Sequence, residues 1–237
     1  MTEWKARRFW KQATIREAAG GWEVLLDDKP LRTPGKLPLI LPSRELAQAV
    51  VGEWDAQNDV INPNNMPLTR AANSAVEKVT PQFDAVAQML GDYGGTDLLC
   101  YRASEPEALI QQQAQGWDPL VDWSATDLRA PMRITQGVIP VDQDPDAVQK
   151  LRDRIALLDP FALTALHDLV TLPGSLILGL AVLEGRLTAE QAFALSRLDE
   201  EFQAERWGRD PEADIAAENR RQAMLSAERF WKLSRRG

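Results

Sequence analysis

Three aspartate–proline pairs, Asp144-Pro145, Asp159-Pro160 and Asp210-Pro211, punctuate the second half of the chain. An aspartate carboxylate accepts from the free amides at a helix start. Proline is tolerated at the first helical position, where its missing N–H has no intrahelical partner to lose. Each pair therefore marks a helix start. Thr188 and Gln191 have capping-box spacing, and Gly185 and Gly208 suit helix stops. This punctuation predicts four or five helices between Asp144 and Ser234 with short connections, a helical bundle.

The earlier half has another texture. "RFWKQATIREA" alternates imperfectly, "GGWEVLLDDKPLRTP" holds an Asp-Asp-Lys-Pro turn between extended pieces, and "KLPLILP" is an apolar run fenced by prolines. These predict a small antiparallel β layer with a proline-limited edge. Ser43 is an N-cap candidate with Glu45 in the first turn, and Leu46, Val50 and Trp54 repeat at i, i+4 and i+8. "LTRAANSAVEKV" predicts a second helix, and Thr80-Pro81 opens a third. "TDLLCYRA" reads as a short buried strand. Ser104 and Glu107 have capping-box spacing ahead of a helix carrying Leu109, Trp117, Leu120 and Trp123, and "PMRITQGVIPV" returns to strand character. The expected class is α+β: an N-terminal α+β domain over residues 1–143 and an all-α helical domain over residues 144–237. A chain of 237 residues buries roughly 70% or more of its unfolded surface, so it folds without staples.

The inventory excludes several chemistries. With one cysteine, Cys100, and one histidine, His167, no internal disulfide and no Cys/His zinc site can be built; a carboxylate-only metal site is the most that remains. Triad chemistry would run through His167, with Ser175 as nucleophile, but "LPGSLILG" lacks the nucleophile-elbow pattern. Apolar neighbours at helical spacing place His167 at the edge of a packed helix, and Cys100 in "DLLCYR" reads as an inert small hydrophobe. There is no phosphate loop, and "GDYGGTD" lacks dinucleotide spacing. No cofactor is expected. A net charge of −8 opposes non-specific nucleic-acid binding. The longest apolar run, Ser175–Leu183, is half a membrane span, and no signal peptide is visible. No long heptad seam is present, so a monomer is expected.

What remains is a binding surface. In "DEEFQAERWGRDPEAD", Leu195, Leu198 and Phe202 form a buried stripe, and Asp199, Glu200, Glu201 and Glu205 fall largely off it as a solvated acidic face. Gly208 ends that helix, and Asp210 caps the next. Glu212 lies in the first turn, where the dipole favours a carboxylate. Trp207 is expected to pack into the corner between the two helices. The bland reading is a helix corner with caps; the sharper one is a protein-binding corner.

"RFWK", "VLLDDKPLRTP", "EWDAQND", "MPLTRAANSAVEKV", "TDLLCYRA", "LDPFALTALHDLVTLPGSLILGLAVLEGRLTAEQAFALSRLDEEFQAERWG" and "DPEA" follow one another in an order that resembles the ATP synthase assembly chaperones acting on the α subunit of the soluble catalytic sector. The resemblance runs over nearly the whole chain. It implies a non-enzymatic chaperone, with an N-terminal α+β domain and a helical domain. Such a protein binds newly made α subunit and leaves when the β subunit docks. It implies a bacterial cytoplasm, or the mitochondrial matrix for a processed chain. It also implies a functionally critical tryptophan, matched here to Trp54 in "EWDAQ", and a critical acidic residue, matched to Glu212 in "WGRDPEA", with Asp210 and Glu205 close by. Trp54 is either a packing residue or a direct contact. Trp207, Arg209, Asp210 and Glu212 form the candidate partner-binding corner.

Overall fold

The structure is a computed structural model describing residues 7–137 and 139–235. It is α+β, with a small antiparallel sheet near the N-terminus followed by many helices, as the sequence predicts. Contacts divide it into two compact units. One takes in the chain up to Gln82, Pro160–Thr164 and the segment from Arg229 onward. The other takes in Phe83–Asp159 and Ala165–Glu228, and so includes residues 141–144.

In the first unit, β1 (Ala13–Ala18) and β2 (Gly21–Leu26) form a hairpin in register from Ala13–Leu26 to Ala18–Gly21. The Asp-Asp turn follows, with Asp27 at φ 53°, and leads into β3 (Lys29–Pro30). The proline-fenced run contributes β4 (Ile40–Leu41), which pairs antiparallel with β2. Helix α1 (Arg44–Asp55) is capped as expected, the Ser43 hydroxyl accepting from the Leu46 amide at 3.1 Å. It packs on β1 and β2 through Leu46, Ala47 and Val50. Its Glu53 caps α2 (Pro67–Ser74) from outside, accepting from the Leu68 and Thr69 amides and the Thr69 hydroxyl at 2.7–2.8 Å. The helix continues as a π turn over Ala75–Val79, where Glu77 accepts from the Gly35 amide in the loop between β3 and β4. Phe161 and Phe230 stack with centroids 5.9 Å apart, and the Ser43 hydroxyl also donates to the Leu233 carbonyl.

The second unit is built round a helix buried on every side. Helices α3 (Phe83–Asp92) and α5 (Pro145–Ala156) pack together, and α4 (Glu107–Thr126) carries the buried Leu109, Trp117, Leu120 and Trp123. All eight residues of α7 (Leu176–Leu183) are buried, against α4 and α8 (Ala189–Ser196). Helix α6 (Pro160–Thr171) approaches α7 so closely that a Cβ on Gly179 would lie 2.6 Å from the Val170 side chain. Helices α9 (Leu198–Trp207) and α10 (Pro211–Ser234) complete the order. The Asp144 cap (2.9 Å to the Asp146 amide), the Thr188–Gln191 capping box and the positive-φ stops at Gly185 and Gly208 all form.

Three expectations change. Residues 144–234 hold six α-helices, not four or five. Pro173-Gly174 separates α6 from α7, and Arg197 (φ −112°, ψ 13°) breaks the periodic stretch into α8 and α9. The stretch around Cys100 is a 3₁₀ turn, Leu98–Cys100, leading into a two-residue strand β5 (Tyr101–Arg102). Its parallel partner β6 is only Thr135–Gln136. Asp97 explains the turn: its carboxylate accepts from the Leu99 amide at 3.1 Å and curls the backbone there. The Ser104–Glu107 capping box does not form. Pro106 occupies the N-cap position, which leaves Ser104 two residues too early to reach the first-turn amides.

Candidate partner-binding site

The corner between α9 and α10 is built by its own residues. Gly208 sits at φ 96°, ψ 158°, a region essentially reserved for glycine, and reverses the chain after Trp207. The Asp210 carboxylate then accepts from the Glu212 amide at 3.0 Å, and its carbonyl accepts from the Asp214 amide at 2.9 Å, which starts α10. Arg209 spans the corner. Its guanidinium lies 2.6 Å from the Glu201 carboxylate on α9 and 2.9 Å from the Asp214 carboxylate on α10. Burial pushes Glu201 upward, but hydrogen bonds from Arg197 and Arg209 outweigh it and hold the carboxyl below its usual range. Arg209 is held above its ordinary value, chiefly by its hydrogen bond to Glu201 and then by Asp214.

Trp207 does not pack into this corner: it is 79% exposed. The buried stripe ends at Phe202, and five residues further round a 3.6-residue helix is a rotation of roughly 140° away from the core face. Arg206 covers Phe202 instead, 4.3 Å from its ring centroid. Ile215, just inside α10, is 64% exposed. Two large apolar side chains thus stand in solvent on either side of the Arg209 cross-link. Glu212 is also exposed, and among the described residues no ion pair reaches it. The structure brings Trp207, Arg209, Asp210 and Glu212 into one turn of chain. Exposed aromatic side chains beside charge are a composition that binding surfaces favour, which makes this corner the candidate.

Trp54 belongs to the other unit. It is half-buried, and its ring meets Trp10 edge-on with centroids 5.1 Å apart. Trp10 is 3% exposed, and Arg8 stacks over it at 5.2 Å. Arg8 also donates to the Asp55 and Gln57 carbonyls at 2.8 and 2.7 Å, closing the C-terminal end of α1. Both indole N–H groups are buried without a hydrogen-bond partner among the described residues.

Of the other candidates, Ser175 has a structural role. The Ser175 hydroxyl donates to Asp97 at 2.7 Å and accepts from the Leu178 amide at 3.0 Å, so it caps α7. His167 lies 2.9 Å from its neighbour Asp168, with both side chains about half exposed. Burial, and then the Asp97 charge, push the Cys100 thiol up to about 12, against a smaller opposing pull from Arg102. Among the described residues no three His, Cys, Asp or Glu side chains gather as a metal site, and no helix is long and apolar enough to cross a membrane.

Asp97 went unnoticed in the sequence. Fully buried, it accepts from Leu99, Ser175 and Ile177 and ties its own turn to the start of α7, 78 residues on. Asp199 is likewise not simply solvated: the buried Gln113 on α4 donates to it at 2.6 Å. No local pattern announces either pairing.

Comparison with known proteins agrees with this architecture. The family model described as ATP12 chaperone protein matches residues 7–125. The mitochondrial protein atp12 of Schizosaccharomyces pombe is 26% identical over 216 residues, covering 85% of this chain and 74% of that protein. The crystal structure of Atp12 from Paracoccus denitrificans superposes with a TM-score of 0.96 at 69% identity, covering 98% of this chain and all of that one. A structure from Agrobacterium tumefaciens superposes with a TM-score of 0.90 at 41% identity, covering 95% of this chain and 85% of that one.

Proposed function

The chain belongs to the family of ATP12 chaperone proteins, and from that premise we propose that it is an ATP synthase assembly chaperone. In this reading it binds the unassembled α subunit of the soluble catalytic sector and releases it when the β subunit docks. The observation that carries the reading is 69% identity to the Paracoccus denitrificans Atp12 across both chains in nearly full length. The exposed corner of Trp207, Arg209, Asp210 and Glu212 supports it, because it offers an exposed aromatic anchor and the carboxylate of Glu212 on a turn that Arg209 and Asp210 hold in shape. The same likeness to a bacterial protein favours a bacterial cytoplasm.

The mechanism needs no chemistry. An unassembled subunit exposes a surface destined for an obligate interface, and such surfaces are apolar and aggregate. A chaperone covers that surface with moderate affinity. The final partner then displaces it by burying more of the same area, so the order of assembly follows from competition alone. The protein acts as a monomer, and Trp54 acts through packing of α1 against Trp10.

The reading is tested by co-expressing this protein with the cognate α and β subunits separately. Soluble α is expected to be retained, and adding β is expected to release it. Failure to retain α overturns the assignment of client.

A further inference from the structure

The second unit carries a cleft of about 400 Å³ between the end of α6 and the α8–α9 junction. Leu98, Leu172, Pro173 and Phe193 supply an apolar wall, and the charged groups are Arg197, Asp199, Glu200 and Arg220. Three of these four have internal partners. Arg197 lies 3.1 Å from Glu201 and 4.0 Å from Glu200, and Asp199 accepts from Gln113. Arg220 is the exception. Among the described residues no hydrogen bond or ion pair reaches its guanidinium, and its Nε is shut off from solvent without an acceptor.

A partly desolvated guanidinium without a carboxylate is an unfinished site. Arginine presents its donors as a fixed fork that fits a carboxylate, and the bond strengthens where water is excluded. The two carboxylates lining the same cleft do not finish it: Gln113 holds Asp199, Glu200 lies 4.0 Å from Arg197, and among the described residues neither pairs with Arg220. Building on the proposed function above, we infer that this cleft takes an extended segment of the α subunit in which an acidic side chain pairs with Arg220 and a neighbouring apolar side chain lies against Leu172, Pro173 and Phe193. The volume suits a few residues of chain, within the range of ordinary ligand sites.

The test uses the full chain and purified cognate α subunit, measured by biolayer interferometry. Arg220→Met is expected to weaken α binding at least tenfold, and Arg220→Lys to restore part of it. Arg220→Met is also expected to melt no lower than the parent, because the guanidinium has no internal partner to lose. Overlapping α-subunit peptides on a membrane then locate the segment. Those bound by the parent and lost with Arg220→Met are expected to contain Asp or Glu beside an apolar residue, and to lose binding on amide replacement. Parent-level binding by Arg220→Met, or bound peptides indifferent to that replacement, overturns the inference while leaving the client reading intact. A thermal shift with citrate or inorganic phosphate, without any loss of α binding in the variant, assigns the cleft to a small anion and also overturns it. Failure of the parent to bind α overturns both.

Discussion

Asp97 shows how one side chain can couple a fold to pH. Burial drives its carboxyl up from 3.8 to about 6, against the opposing bonds from Ile177, Ser175 and Leu99. Its folded value therefore lies above its unfolded one. The folded state holds the proton more tightly, so this group adds stability as pH falls through about 6 towards 3.8 and withholds it at neutral pH. The span is worth about 3 kcal/mol. Asp97→Asn cannot titrate, and its amide nitrogen cannot accept from one of the present donors. The stability difference between parent and variant is therefore expected to move in the parent's favour between pH 7 and 4.5, as read by urea denaturation; a flat difference sinks the idea. At Trp54 the prediction is about packing. Trp54→Arg puts a charge against Trp10 and empties the aromatic contact, so a loss of roughly 3 kcal/mol is expected. If this variant melts like the parent yet fails to retain α, Trp54 is a contact rather than a packing residue.

The same scale explains what was legible in advance. Ser43, Asp144 and the Thr188–Gln191 pair announce their helices because capping is settled within three or four residues. Asp97–Ser175 and Gln113–Asp199 join positions 78 and 86 apart. Their residue types say nothing of that, and only tertiary packing pairs them. Trp207 misled for a related reason: an aromatic residue at a helix end is read as core by its type, while its angular position points it outward.

At the scale of elements, the α9–α10 corner depends on Gly208. A Cβ there would meet open space, so the constraint is the backbone and not crowding. Gly208→Ala is expected to cost about 1–3 kcal/mol through strain. It should also reorient Trp207 relative to Arg209, and weakened α retention by folded Gly208→Ala would be the functional sign. Unchanged melting would mean the corner relaxes without glycine. Helix α7 makes the opposite case. Its eight residues are all buried, and a uniformly apolar run shows no face, so the sequence marks Ser175–Leu183 only as an apolar run too short to span a membrane and says nothing of what surrounds it.

For the whole molecule, binding and folding should separate on the surface. Glu212 is exposed and unpaired by any ion bridge among the described residues, so Glu212→Lys loses chiefly the carboxylate's favourable place at the positive end of α10, and the melting temperature is expected to fall by no more than about 4 °C, an effect of about 1 kcal/mol. Charge reversal beside Trp207 is expected to reduce α retention several-fold in the pull-down. An unfolded variant would remove Glu212 from the interface assignment.

The first unit is assembled from three stretches: the chain up to Gln82, Pro160–Thr164, and the segment from Arg229 onward. Phe161 waits for Phe230, and the Ser43 hydroxyl waits for the carbonyl of Leu233. Those partners lie well over a hundred residues beyond the sheet and α1 in the chain, so on the ribosome the sheet emerges long before the segment that meets it. The first unit therefore stays incomplete while the second is being made, and that interval is when the nascent chain is most open to aggregation.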